Sequence, residues 1–231
     1  MYWCGGKIIM ELFITATDTD AGKTLVACAI TASLVNAGKQ VAVFKSLSAG
    51  CELINNHLVN EDAKLLQGFA NCQQSIEQIN PIAFIEPIAP HIAAAKAKQT
   101  ITSQLIATHY AKIKELNSDV IITEGAGGWR LPLGNGEYLS DFVKAENTGV
   151  ILVVGMKLGC LNHAMLTYEA IIQDGLQVVG WVANHPQAMP YLEENIELLS
   201  SAIKAPLLGR LAHMESVEQA SQCLDLSLIQ G

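Results

Sequence analysis

The sequence predicts an α/β fold, a mostly parallel sheet flanked by helices, on three observations. Short apolar runs rich in β-branched residues alternate with helix-periodic stretches, as in βα units. A polar loop follows the first run and opens directly into a helix. And 231 residues, half of them hydrophobic, suffice for a core on both faces of one sheet.

Strands are expected near residues 11–15, 41–45, 119–123, 149–154, 177–183 and 206–208. Between them, Leu25, Cys28, Ala32 and Val35 recur at helical spacing, and Gly38 supplies the stop that a positive φ usually requires. Ile106, Tyr110 and Ile113 mark a second helix, started by Thr102 or Ser103. Met165, Tyr168 and Ile172 mark a third, closed by Gly175, and these faces are expected to cover the sheet. The stretch from Asn71 to Pro90 is the least regular, since Pro81, Pro87 and Pro90 break any long element. No repeat, low-complexity tract or composition shift marks a second domain, so residues 1–231 read as one. Met10 directly precedes the first strand and would serve equally well as a start, which would make residues 1–9 an upstream extension.

A formal charge of −8 argues against a sequence-independent grip on nucleic acid or on an anionic membrane, either of which needs a basic surface. The apolar run Val150 to Val154 is strand-sized, far short of the ~20 residues a membrane-crossing helix needs. Cys4, Cys28, Cys51, Cys72, Cys160 and Cys223 are scattered and form no C-x-x-C pair, which reads as reduced thiols in a cytoplasmic protein.

The chemistry begins in the loop from Thr15 to Thr24. A strict phosphate-loop pattern needs glycine at position 17, where this chain has threonine, so context carries the reading. The strand Leu12-Phe13-Ile14 feeds a loop whose N–H groups can converge on phosphate oxygens, and a helix starts at Gly22-Lys23-Thr24. This is a P-loop NTPase-like arrangement, in which Lys23 reaches the β- and γ-phosphates of ATP and the Thr24 hydroxyl ligates Mg²⁺. The bland alternative is a helix capped after a polar turn.

Glu124 ends a buried strand and is followed by Gly125-Ala126-Gly127-Gly128. Taken alone, a strand-ending glutamate is more often a solvated edge residue; beside a phosphate loop the metal-holding reading is the stronger. Lys45 ends the strand Val41 to Phe44, where parallel sheets place their ligands, and a buried ammonium calls for an anionic ligand or a carboxylate beside it. From spacing alone Asp62, after Asn60-Glu61, reads at least as well as a helix cap. Asn184, at the end of another strand, fits either an adenine-reading amide or an Asx turn.

Five segments together resemble the dethiobiotin synthase family: Thr17-Asp18-Thr19 before Gly22-Lys23-Thr24, Glu124 to Trp129, Val154 to Ala164, Gly180 to Asn184, and Ala205 to Gly209. The resemblance implies ATP-dependent closure of a cyclic urea from 7,8-diaminononanoate and CO2, through a carbamate that ATP phosphorylates. By the same match Lys45 is the active-site lysine, with Lys23 and Thr19 on phosphate, and Thr24, Asp62 and Glu124 surround Mg²⁺. The implied ATP contacts are Asp20, Ala21, Gly22, Lys23, Thr24 and Leu25, then Asp62, Glu124, Gly125, Ala126 and Gly127, then Asn184, His185, Ala212, His213 and Met214. Lys45, Ala49 and the segment Cys160-Leu161-Asn162 are implied to bind substrate. In the family this last segment reaches across a dimer interface to a carboxylate, so a homodimer is implied. Departures from the family are Ala16 for a loop glycine, Ser46 for a proline, Ala49 for a hydroxyl with Ser48 beside it, Ala212 for a proline and His185 for an acid. His91 also fits the pattern and is read as making a structural hydrogen bond.

Two rivals share the loop. A partitioning-type ATPase switch carries a signature lysine where this chain has Asp18, and tends to end in a membrane- or DNA-binding feature that Ala212 to Gly231 does not resemble. A related P-loop ligase of the cobyrinate-amidating kind adds a glutaminase domain that 231 residues cannot hold.

Overall fold

The computed structural model describes residues 3, 4 and 7–229, with side chains from Ile9 on; the Cys4 thiol and the 1–9 extension as a unit lie outside the described residues. Each expected run becomes a strand of one sheet: β1 (Met10–Ala16), β2 (Val41–Phe44), β3 (Val120–Glu124), β4 (Gly149–Gly155), β5 (Val178–Asn184) and β6 (Leu207–Leu211). Their order is β6-β5-β4-β1-β3-β2, and every neighbouring pair is parallel. The last strand outruns its expected end because Gly209, Arg210 and Leu211 pair with Val182, Ala183 and Asn184. β1 lies between β3 and β4, so chain connections diverge to both sides at its C-terminal end and open a crevice there.

Successive residues of each strand face opposite layers, which divides the apolar residues into two cores. Phe13, Phe44, Ile121, Leu152 and Trp181 face one layer, while Leu12, Ile14, Val43, Ile122 and Val182 face the other. Among the described residues, the helices of more than four residues that cover the sheet are α1 (Lys23–Asn36), α2 (Glu61–Phe69), α3 (Pro90–Lys96), α4 (Ser103–Lys114), α5 (Leu139–Glu146), α6 (Cys160–Gln173), α7 (Leu192–Ala202) and α8 (Val217–Gln222). α1, α2 and α8 close the Leu12 side; α4 to α7 close the Phe13 side. None of them is long and apolar enough to cross a membrane.

Thr102 caps α4 by accepting from the Leu105 N–H, and Ile106, Tyr110 and Ile113 are its buried face, as the spacing predicts. α1 ends at Gly38 (φ +80°), where the Gly38 and Lys39 N–H groups bond back to Val35 and Leu34. Two helical faces differ from expectation. α1 is buried from Val26 to Ala32 on all sides, because α2 and α8 pack on what would be its outer surface. α6 buries Cys160, Ala164 and Ile171, while Met165 and Tyr168 are only half-buried and Ile172 is exposed.

The irregular stretch before Pro90 covers the open edge of β2. The Gln74 amide accepts from Val43 N–H (2.9 Å) and donates to Val43 C=O (2.8 Å), and Asn71 accepts from Val41 N–H. Lys45 N–H then bonds to Ile79 C=O at 2.8 Å, and Asn80 donates to Lys45 C=O at 2.7 Å. The backbone of Lys45 is thus held through both its N–H and its C=O by the segment Ile79-Asn80.

Candidate active site

The phosphate loop tolerates Ala16 and Thr17 because neither needs a positive φ. Ala16 is the last residue of β1, paired with Val153, and Thr17 N–H continues that ladder to Val153 C=O at 3.0 Å. Ala16 is thus part of the strand rather than of the turn, which is made further on, at Asp20 (φ +58°) and Gly22 (φ +94°). A side chain at Gly22 would place its Cβ 2.2 Å from Asn184 Nδ2. Asn184 itself donates to Ala21 C=O at 2.9 Å, so β5 supports the loop from beneath. The first backbone bond of α1 runs from Val26 N–H to Gly22 C=O, which leaves the N–H groups of the preceding turn without a helical partner and suited to an anion.

Lys23 is buried and curls back to donate to Asp18 C=O at 3.0 Å. Burial, then the charge of Lys45, pushes its pKa below the ordinary lysine range. Asp18 also accepts from Thr19 N–H and from exposed Lys157, at 2.8 and 2.9 Å.

Lys45 is 3 % exposed, and its ammonium sits 2.8 Å from Asp62 and 2.6 Å from Glu124. Burial alone would lower its pKa, but Glu124 and Asp62 outweigh that and hold it above the ordinary value. For Asp62, burial is outweighed by Lys45, so its carboxyl is held low; for buried Glu124 burial prevails and pushes it up. Asp62 is not the helix cap. Asn60 caps α2 through Ala63 N–H, which frees Asp62 in the first turn to point at Lys45 and Thr24. Thr24 Oγ1 lies 2.9 Å from both Asp62 and Glu124, yet a hydroxyl carries one proton and satisfies one of them at a time. Glu124 Oε2 is buried with no hydrogen-bond partner among the described residues.

These groups line a cavity of about 780 Å³ at the C-terminal end of the sheet. The predicted residues Thr19, Asp20, Gly22, Lys23, Thr24, Lys45, Ala49, Asp62, Glu124, Ala126 and Gly127 all border it. Ala21 instead borders an adjoining cleft of about 190 Å³ with Asn184, whose Oδ1 is buried without a partner among the described residues. Leu25, Gly125, His185, Ala212, His213 and Met214 border neither, and nor do Cys160, Leu161 and Asn162. The last three begin α6, beyond exposed Leu158.

Sequence reasoning missed Asn80, which accepts from Ser48 Oγ (2.6 Å) while holding the Lys45 carbonyl. Ser48 thereby spends its one proton on Asn80 and keeps its acceptor lone pairs, beside Ala49 on the cavity lining. The polar residues concentrated in a proline-broken stretch were the available signal. Pro87 to Pro90 also line the cavity. His91 Nδ1 is buried without a partner among the described residues, so the structural hydrogen bond expected of it is not made at that nitrogen.

A family model described as an AAA domain matches residues 10–221. The chain is 45% identical over 214 residues to an ATP-dependent dethiobiotin synthetase BioD of Aeromonas salmonicida, covering 92% of this chain and 95% of that one. It is 47% identical over 202 residues to the one of Pseudoalteromonas translucida, covering 86% and 88%. Among solved structures, the septum site-determining protein MinD of Pyrococcus horikoshii, complexed with Mg-ADP, superposes with a TM-score of 0.60 at 15% identity, covering 93% of each chain. The cell division protein FtsY of Thermotoga maritima does so at 0.51 and 14%, covering 92% of this chain and 64% of that one. These likenesses show a shared P-loop NTPase fold.

Proposed function

The chain belongs to the family of ATP-dependent dethiobiotin synthetases, ligases of biotin biosynthesis, and from that premise we propose that it closes the ureido ring of dethiobiotin from 7,8-diaminononanoate and CO2. One amine of the substrate takes up CO2 as a carbamate. A carbamate oxygen attacks the γ-phosphorus of ATP and ADP leaves, giving a carbamic-phosphoric anhydride. The second amine then attacks the carbonyl carbon, and phosphate departs with the activated oxygen while the amine loses a proton.

The observation that carries this reading is the Lys45 ammonium, buried at the cavity wall between two carboxylates. A positive charge fixed there in low dielectric favours a carbamate and the charge that spreads during phosphoryl transfer. Lys23 exchanges the Asp18 carbonyl for the β- and γ-phosphates, beside Thr19 and the open N–H groups of α1.

Thr24, Asp62 and Glu124 would hold Mg²⁺. The fit rests on hard oxygen donors, on the partnerless Oε2 of Glu124, and on one Thr24 proton facing two carboxylates, a contact a cation relieves. Among the described residues no group of three His, Cys, Asp or Glu gathers for a metal, so hydroxyl and phosphate oxygens complete the set. Bound Mg²⁺ supplies neutralisation of charge on the β- and γ-phosphates.

The partnerless Oδ1 of Asn184 supports an acceptor for the adenine amino group, with Ala21 and Leu25 on the loop side and His185, Ala212, His213 and Met214 beyond. Cys160, Leu161 and Asn162 stand away from their own chain's cavity, so we assign them to the substrate carboxylate of a second copy, in a homodimer of one-domain subunits working in the cytoplasm. ADP release with Mg-ATP alone, then with bicarbonate and 7,8-diaminononanoate added, tests the reading. Turnover is expected to require both additions; turnover indifferent to them would sink it.

A further inference from the structure

Between Gly127 and Leu131, two residues of the glycine-rich cavity wall, stand Trp129 and Arg130, and both are tied to one carboxylate. Trp129 Nε1 donates to Asp174 Oδ2 at 2.9 Å, and the Arg130 guanidinium meets both Asp174 oxygens, at 2.8 and 3.1 Å. Lys144 of α5 adds its charge at 3.5 Å. The Asp174 side chain is only 7 % exposed.

This is an unfavourable place for an acid. Asp174 follows the last residue of α6, where the helix macrodipole is negative and opposes a carboxylate. Local preference does not account for it; the donors converging on it do. Burial pushes its pKa up, but the hydrogen bonds from Arg130 and Trp129 and the nearby charges outweigh that and keep it ionised. Trp129 meanwhile packs edge-on against Phe13 of β1, 6.0 Å between centroids, and Arg130 reaches Ser140 of α5 at 3.1 Å. The wall is therefore pinned to β1, α5 and α6 at once, within three residues of Gly127 and next to Leu131.

Resting on the function proposed above, we propose that Asp174 is a positioning residue for the reaction: through Trp129 and Arg130 it fixes the Leu131 end of this cavity wall, against which the diamine is aligned. Asp174 touches no substrate. Its effect is expected first on the diamine, because Ala126 and Gly127, the implied ATP contacts of that wall, precede Trp129, while Leu131, which follows Arg130 directly, borders the same cavity and is assigned to no part of the nucleotide.

The test compares wild type with Asp174→Asn, which keeps the shape but removes the charge, and with Arg130→Met, a change at a partly exposed side chain, the melting temperature of each variant being measured beside its kinetics. KM for the diamine is expected to rise roughly tenfold in both, with kcat and the KM for ATP within about twofold. The indole N–H resonance of Trp129, assigned by its loss in Trp129→Phe, should shift in Asp174→Asn. Unchanged diamine KM in both variants overturns the proposal, as does a fall in all kinetic constants that merely follows the melting temperature. A wild-type enzyme without diamine-dependent turnover sinks the functional reading and this proposal with it; normal wild-type turnover with unaffected variants sinks this proposal alone.

Discussion

A buried ammonium such as that of Lys45 persists only because two carboxylates compensate its lost hydration, so removing the charge should be felt where new negative charge develops. Lys45→Gln is expected to lower ring closure at least about a hundredfold while ATP affinity stays within a few-fold, whereas Lys23→Gln weakens both, measured by steady-state turnover and titration calorimetry. A fully active Lys45→Gln enzyme would refute the assignment. Lys45 and Glu124 were legible because polar residues ending apolar strands occupy the ligand-bearing edge of a parallel sheet. Asp62 was not, since a first-turn aspartate reads as a cap until the structure shows Asn60 in that role. Asn80 escaped notice for a related reason: its partners, Ser48 and the Lys45 carbonyl, are 32 and 35 residues away.

At the scale of elements, the phosphate loop works as a turn shaped by one glycine and braced from β5. Gly22→Ala would place an L residue at φ +94° and its Cβ against Asn184, so ATP affinity is expected to fall at least about tenfold. Gly38→Ala makes a useful contrast, since its φ is +80° but nothing lies within 4 Å. It should cost about 1 kcal/mol of stability in a denaturant titration and leave ATP binding unchanged, because the strain there is local to the end of α1. The strands were read well, as fully buried parallel strands announce themselves by continuous apolar runs. The helical faces were read less well. α6 carries apolar residues on two stripes, and periodicity alone does not say which of them meets the sheet.

For the whole molecule, the cavity of one chain lacks the α6 segment that family resemblance assigns to substrate binding. Leu158, 98 % exposed at the approach to that segment, is a bulky apolar side chain that a second copy would cover. Leu158→Asp is expected to shift the mass seen by light scattering from that of the proposed dimer to that of a monomer and to lower turnover together with it. Retention of a dimer with full activity would remove Leu158 from the interface. The order of apolar runs, the loop and the strand-end polar residues determined the fold class and the phosphate-binding end of the sheet from the sequence alone, because these signals are local and set by backbone geometry. Only the tertiary structure decided that Asp62 joins Lys45, that Ala16 belongs to β1 and not to the turn, which face of α6 is buried and that Trp129 and Arg130 share Asp174. Those are meetings of residues distant in the chain, fixed by strand order and packing, and no local spacing encodes them.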